Sequence, residues 1–167
     1  MAVNNPLTMV ADVQGSVVLG FVSKDIFYMR FIGHVAAPLG AKCAGFLRKQ
    51  LASHPIQGIF CDADPHSTLD LSARSEVVRA FLDHRRQLES MATMVGTPPV
   101  APTVRAIATV LDCLAYIAET QDDFHTRLIR AAPYAQAKLP RDTWARTLDS
   151  ERPGRNSGRM RVAPRRR

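Results

Sequence analysis

From residue 16 to about residue 131 the chain alternates between two hydrophobic patterns. Short β-branched and aromatic runs read as strands, and longer stretches with apolar positions three and four apart read as helices. Ser16 to Val22 (Ser-Val-Val-Leu-Gly-Phe-Val) is the first run and Ile26 to Ile32 (Ile-Phe-Tyr-Met-Arg-Phe-Ile) the second. Only Ser23-Lys24-Asp25 separates them, and a turn that short joins antiparallel neighbours, so the two predict a hairpin ended by Gly33. Before Ser16 no period emerges and Pro6 argues against regular structure, so residues 1–15 read as an N-terminal extension.

The period then changes. Leu39, Cys43, Phe46, Leu47 and Leu51 share one face of a helix over about 38–52, stopped by His54-Pro55. Ile56 to Cys61 reads as a third strand ending at Asp62, followed by a polar loop and a second helix over about 72–88 carrying Val77, Val78, Phe81, Leu82 and Leu88. Met91 to Val95 is a fourth strand, closed by Gly96-Thr97-Pro98-Pro99. Pro102, with its fixed φ, suits the start of a third helix that buries Val104, Ile107, Ala108 and Leu111. Leu114 to Ala118 is a fifth strand. Thr120 opens a fourth helix, with Asp123 in the position of a capping-box acid and Pro133 as its end. The order ββαβαβαβα predicts an α/β domain over 16–140: a central, mostly parallel sheet with right-handed crossovers and an antiparallel edge hairpin, and helices packed on it.

Charge changes the picture at one end only. The whole chain carries +7, but residues 141–167 hold nine Arg against Asp142, Asp149 and Glu151, a net of +6, so the body is nearly neutral. Beyond Pro140 the apolar period fades, and Arg152, Arg155, Arg159, Arg161, Arg165, Arg166 and Arg167 sit among Gly, Pro and Ser in a tail expected to be disordered. Such a tail suits anionic surfaces, nucleic acid or acidic lipid, without choosing a sequence, or serves only as a solubilising end. Cys43, Cys61 and Cys113 stand singly in apolar stretches, without the spacing of a zinc or redox motif. Reduced thiols, the absence of a secretory pattern at the N-terminus and the absence of a long apolar run point to a cytoplasmic protein.

The densest group of candidate residues is the loop before the second helix: Asp62, Asp64, His66, Ser67, Thr68, Asp70 and Ser72, with Arg74 and Glu76 on the first exposed turn. Loops at carboxyl ends of strands are where open α/β sheets meet ligands and partners. A helix start also offers free amides to an anion or a phosphorylated side chain. The competing reading is simple capping, by Asp70 or Ser72. Asp62-x-Asp64-x-His66 would align three ligands on an extended segment, but Pro65 intervenes and no second ligand cluster exists, so no metal site is expected. The other histidines, His34, His54, His84 and His125, read as surface residues. Neither a Gly-rich phosphate loop nor a Gly-x-Ser-x-Gly elbow occurs, and no catalytic residue or cofactor is expected.

This order of elements resembles the STAS domain, the fold of bacterial anti-sigma factor antagonists and of sulfate-transporter cytoplasmic tails. The likeness covers about Ser16 to Ala131. It rests on Asp70-Leu71-Ser72-Ala73-Arg74, where the family has Asp-Ser-Ser-Gly-Leu-Gly at the start of helix two. It also rests on the run from Val104 to Leu128, which is similar to the family's closing helix, short strand and acidic capped helix. The resemblance implies a regulatory protein-interaction module that binds a kinase, an anti-sigma-like factor or an assembly factor through this loop. The family's phosphorylated Ser or Thr directly follows the Asp, whereas this chain has Leu71 there and lacks the glycines. Ser67, Thr68 and Ser72 remain as hydroxyls around the site. Two functions stay open: a signalling module, with or without its switch, and a STAS-like platform carried to an anionic surface by its tail.

The loss of apolar period near Pro140 generates the first prediction. Limited proteolysis of the purified chain should remove the Arg-rich end and leave a resistant fragment that contains Ser16 and ends near Pro140. Digestion of that fragment as fast as the tail would contradict a single folded body.

Overall fold

The computed structural model of the protein describes residues 6–63, 66–94 and 101–139. Among the described residues twelve elements follow one another: β1 Thr8–Ala11, β2 Gly15–Phe21, β3 Ile26–Val35, α1 Ala37–Leu51, β4 Gly58–Ala63, β5 Thr68–Leu69, α2 Leu71–Leu82, β6 Ser90–Met94, α3 Ala101–Leu111, β7 Leu114–Ala118, α4 Gln121–Ala131 and α5 Ala135–Lys138. The main sheet runs β1-β2-β3-β4-β6-β7, and the short β5 pairs with the far end of β3. β1, β2 and β3 are antiparallel, while β3, β4, β6 and β7 are parallel. The expected mixed sheet with its antiparallel hairpin is therefore present.

β3 runs through Gly33 to Val35 instead of ending at Gly33, because its far end pairs with β5, a strand inside the segment read as loop. Three further details differ from the sequence reading. The first is β1, which lies in the stretch where no pattern was legible. Its four residues alternate between half-buried and exposed, and they gain stability by pairing with Ser16–Leu19 of β2, a neighbour that hydropathy alone cannot supply. The second is the end of α2 at Leu82. Residues 83–87 close in turns, and Leu88 returns to the core from outside the helix. The third is α5, one short turn that buries Ala135. The expected tail lies outside the described residues.

Alternation along the strands sorts the core into two layers. Phe27, Met29 and Phe31 of β3 face α1, α2 and α3 with Leu39, Leu47, Val77, Phe81 and Leu111. Tyr28 of β3, Phe60 of β4, and Ala92 and Met94 of β6 face the opposite way, against Phe124 and Leu128 of α4. Both faces of β3 and β4 are covered, which explains their near-continuous apolar sequences.

Local chemistry fixes the junctions. In the β2–β3 turn the Ser23 hydroxyl donates to Asp25 (3.0 Å) and accepts from the Ile26 amide (3.2 Å). At the end of α3, Asp112 is left-handed (φ 55°). The Asp112 and Cys113 amides reach back to Thr109 and Ala108, the paired bonds of a Schellman closure. Thr120 caps α4 through the Asp123 amide as expected. The Asp123 carboxylate, instead of closing a capping box, takes the Tyr116 hydroxyl and the Arg127 guanidinium.

Helices α1 and α2 meet at Gly40, where an added Cβ would lie 2.5 Å from both Cα and Cβ of Ala73. Gly45, one turn further along α1, has nothing within 4 Å of that position. The two glycines should therefore respond oppositely to one methyl group. Gly40→Ala should lose about 1–3 kcal/mol through overpacking, whereas Gly45→Ala should gain up to about 1 kcal/mol from helix propensity. Urea unfolding of both variants checks the pair, and a neutral Gly40→Ala would contradict the close approach.

Candidate functional site

The structure divides the candidate loop between the inside and the outside of the protein. Asp62 is not in the loop at all. It lies within β4, 3% exposed, directly across from Arg30 of β3, which is 2% exposed. Arg30 Nε stands 3.9 Å from Asp62 Oδ2, and the Tyr28 hydroxyl donates to the same oxygen at 3.0 Å. His125 of α4, expected on the surface, is buried on this face. Burial lowers its pKa and nearby Arg30 acts in the same direction, while Asp62 and Asp122 oppose both. Tyr28, Arg30, Asp62 and His125 thus form a polar core between sheet and helix. An internal carboxylate so engaged holds the two strands together and is not offered to a partner.

The exposed part of the site is organised by a residue that sequence reasoning set aside. His34, near the end of β3, has Nδ1 2.8 Å from the Thr68 hydroxyl and Nε2 3.6 Å from Asp70 Oδ1. Backbone pairing brings these partners to it. His34 and Val35 pair with Thr68 and Leu69 of β5, and the Asp70 amide donates to the Val35 carbonyl at 3.1 Å. The pairing of β4 with β3 ends at Ala63 and the chain pairs with β3 again at Thr68, so the polar loop is pinned at both ends to one strand. Thirty-four positions separate His34 from Thr68, and only the β5 pairing makes them neighbours.

Asp70 occupies the N-cap position of α2 but makes no side-chain cap bond, because its carboxylate turns toward His34. Ser72 is exposed in the first turn, so the expected capping role falls to neither residue. Leu71 opens the helix and is 72% exposed, unusual for a large apolar side chain with a core nearby. The turn between β1 and β2 approaches from the other side. The Gln14 carbonyl accepts from the His34 amide, and Val13 in that turn is fully exposed. Asp12 holds the turn by accepting from the Gln14 and Gly15 amides, bonds that also lower its pKa.

The remaining candidates have separate places. Glu76 bridges Arg48 of α1 (3.3 Å) and Arg79 of α2 (3.2 Å), and Arg74 is half-buried on the same helix. His66 is exposed and Ser67 half-buried just before β5. Asp64 and the seven tail arginines, Arg152 to Arg167, lie outside the described residues. Among the described residues, no group of three or more His, Cys, Asp or Glu is placed to hold a metal ion. Cys43 and Cys61 are free thiols whose pKa values burial pushes up to about 11 and about 12, so both stay protonated near neutrality. That chemistry suits packing, not nucleophilic attack.

With strand order and loop in place, the likeness to a known structure can be judged. An uncharacterised protein of the DUF3478 family from Shewanella loihica PV-4, solved by crystallography, matches 72% of this chain and 99% of its own, with a TM-score of 0.52 and 17% identity. That protein is described as having a SpoIIAA-like fold. This chain shares it. At 17% identity the likeness is one of fold, and it agrees with the STAS resemblance, since SpoIIAA carries the anti-sigma factor antagonist fold. No family model matches the chain, and no curated protein does.

The buried His125 makes stability depend on pH with a definite sign. Its pKa is lower in the folded protein than the ordinary value near 6.5, so the unfolded chain binds the proton first as pH falls. Its contribution is intact above about pH 6.5 and erodes below it, by at most about 1.4 kcal/mol per pH unit, until the folded-state pKa is passed. Urea unfolding at several pH values should show this slope in the wild type, and His125→Gln should flatten it. An equal slope in both would show that His125 does not carry the effect.

Proposed function

We propose that the protein is a non-catalytic regulatory module of the cytoplasm that docks a signalling or assembly partner on the surface around the start of α2. The observation that carries this reading is the pairing of exposure with rigidity there. Val13, His34, Thr68, Asp70, Leu71 and Ser72 come from three separate segments, yet backbone and side-chain hydrogen bonds hold those segments to the end of β3. Leu71 offers an apolar anchor with Asp70 and Ser72 next to it in the chain and the Thr68 hydroxyl on β5, and Val13 is a second exposed apolar side chain in the β1–β2 turn. An apolar anchor ringed by polar groups is the usual anatomy of a protein-recognition patch.

Leu71 gives the module its character. A leucine stands where the STAS resemblance implies the phosphorylated hydroxyl, so contact at that position is apolar and is not itself switched by phosphorylation. Ser72 is one residue further on and supplies the remaining route to control. A phosphate on it would add about −1.5 to −2 charge next to Asp70, and the repulsion would act as an off-switch unless Arg74 or an Arg of the partner compensates. The kinase, anti-sigma-like factor or assembly protein that binds here would then offer an apolar pocket for Leu71 and a neutral hydrogen-bond donor for Asp70.

Affinity capture at moderate salt after nuclease treatment, followed by titration of the captured protein, tests the reading. Leu71→Lys and Ser72→Asp should each weaken binding by about tenfold or more, in keeping with anchor residues at interfaces, while Ser72→Ala and removal of Arg152–Arg167 leave it intact. If tail removal abolishes binding and Leu71→Lys does not, the arginines deliver the domain to an anionic surface instead. An unchanged affinity on replacing Asp64, Asp70 and Ser72 together, in a folded protein, would leave the loop without a docking role.

A further inference from the structure

The sheet has a free end far from the α2 surface. β7 pairs with β6 and, among the described residues, with no strand on its other side. Natural sheets guard such edges with charges, proline or a covering segment, because unpaired amides and carbonyls template further pairing. The edge Leu-Ala-Tyr-Ile-Ala carries no charge and no proline. Leu114 is 77% exposed at its start, and Val110 of the preceding α3 is 52% exposed beside the same connection. The exposed positions of α3 otherwise hold Pro102, Arg105, Ala106 and Thr109, with one charge among them.

We propose that this edge is a self-association surface on which two copies of the chain pair antiparallel through β7, about a two-fold axis at Tyr116. A five-residue strand pairs all its residues with its own copy only about the central one. That register sets Tyr116 opposite Tyr116, Ala115 opposite Ile117 and Leu114 opposite Ala118. The charges above the strand select a second copy over an unrelated strand. Tyr116 donates its hydroxyl to Asp123, and the Arg127 guanidinium lies 3.2 Å above the Tyr116 ring centre and 3.3 Å from Asp123. The Asp123 and Arg127 side of α4 therefore reaches the edge strand, while Phe124 and Leu128 pack inward over β4 and β6. Its entry is acidic (Glu119, Asp122, Asp123) and its later turns are basic (Arg127, Arg130). Asp123 and Arg127 pair within one copy, so a two-fold axis that lays the acidic end of one α4 beside the basic end of the other sets Glu119 and Asp122 against Arg130 at both contacts. Because the contact uses the same edge on both copies, it closes as a dimer and leaves no further β7 edge to extend.

Sedimentation of the full chain over a concentration series should show a monomer–dimer equilibrium. Leu114→Lys adds a charge at a solvated position and should weaken the dimer by about tenfold or more, with an unchanged thermal melt to show that the fold survives. Two charge variants locate the geometry. Arg130→Glu, and Glu119→Lys with Asp122→Lys, should each dimerise poorly alone and recover as a one-to-one mixture. A wild type that stays monomeric into the high micromolar range would overturn the proposal. So would a dimer that Leu114→Lys leaves intact, a mixture that recovers nothing, or a dimer lost only when residues 141–167 are removed. The α2 surface is not involved, so Leu71→Lys should leave the dimer unchanged.

Discussion

The structure turns on one buried ion pair. Arg30 and Asp62 lie opposite each other on the two central strands and are almost wholly out of water, with Tyr28 adding a hydrogen bond to the same carboxylate oxygen. Placing both charges inside is costly, and leaving either without the other would be more so, by about 3–5 kcal/mol. The pair therefore specifies more than it stabilises. A slip of one residue between β3 and β4 would turn Asp62 toward the other face of the sheet and leave Arg30 stranded against α4. Apolar strands such as Ile26–Val35 and Gly58–Ala63 tolerate many registers on hydrophobicity alone, and the ion pair selects one.

That register places the functional surface. With Arg30 fixed against Asp62, the remaining length of β3 carries His34 and Val35 beyond the end of β4, where β5 pairs with them. The polar loop is consequently pinned at both ends to the same strand, and α2 starts at a defined point beside His34. Tyr28, Arg30 and His34 share one side of β3, and position along the strand separates two polar systems of opposite character. Tyr28, Arg30, Asp62 and His125 make an internal network within the paired length of β3 and β4, while His34, Thr68 and Asp70 make an external one beyond the end of β4.

The start of α2 and the β7 edge of the sheet differ in character. Around the start of α2 the exposed apolar side chains are isolated in a polar setting, which suits the proposed partner of different sequence. At β7 the uncharged strand lies beside a helix that runs from acidic to basic, which suits the proposed pairing of two copies. A dimer of that kind would present two α2 surfaces, and a dimeric or repetitive partner would be bound with a gain from linkage beyond the affinity of either site.

Much of this was legible in the amino-acid sequence, because it depends on local periodicity. The hairpin, the succession of parallel strands and helices, the Thr120 cap and the near-neutral body follow from side-chain spacing, turn chemistry and charge placement, and they sufficed for the fold class. Tertiary structure decided what depends on residues distant in the chain. β1 exists because β2 lies beside it. Asp62 is internal because Arg30, thirty-two positions earlier, needs a counter-charge. His34 organises the exposed site because β5 returns to it, and His125 is buried because α4 crosses the sheet above Asp62. Sequence period reports which face of an element is apolar. It does not report which polar residue will meet another across the fold, since that contact is set by register and topology.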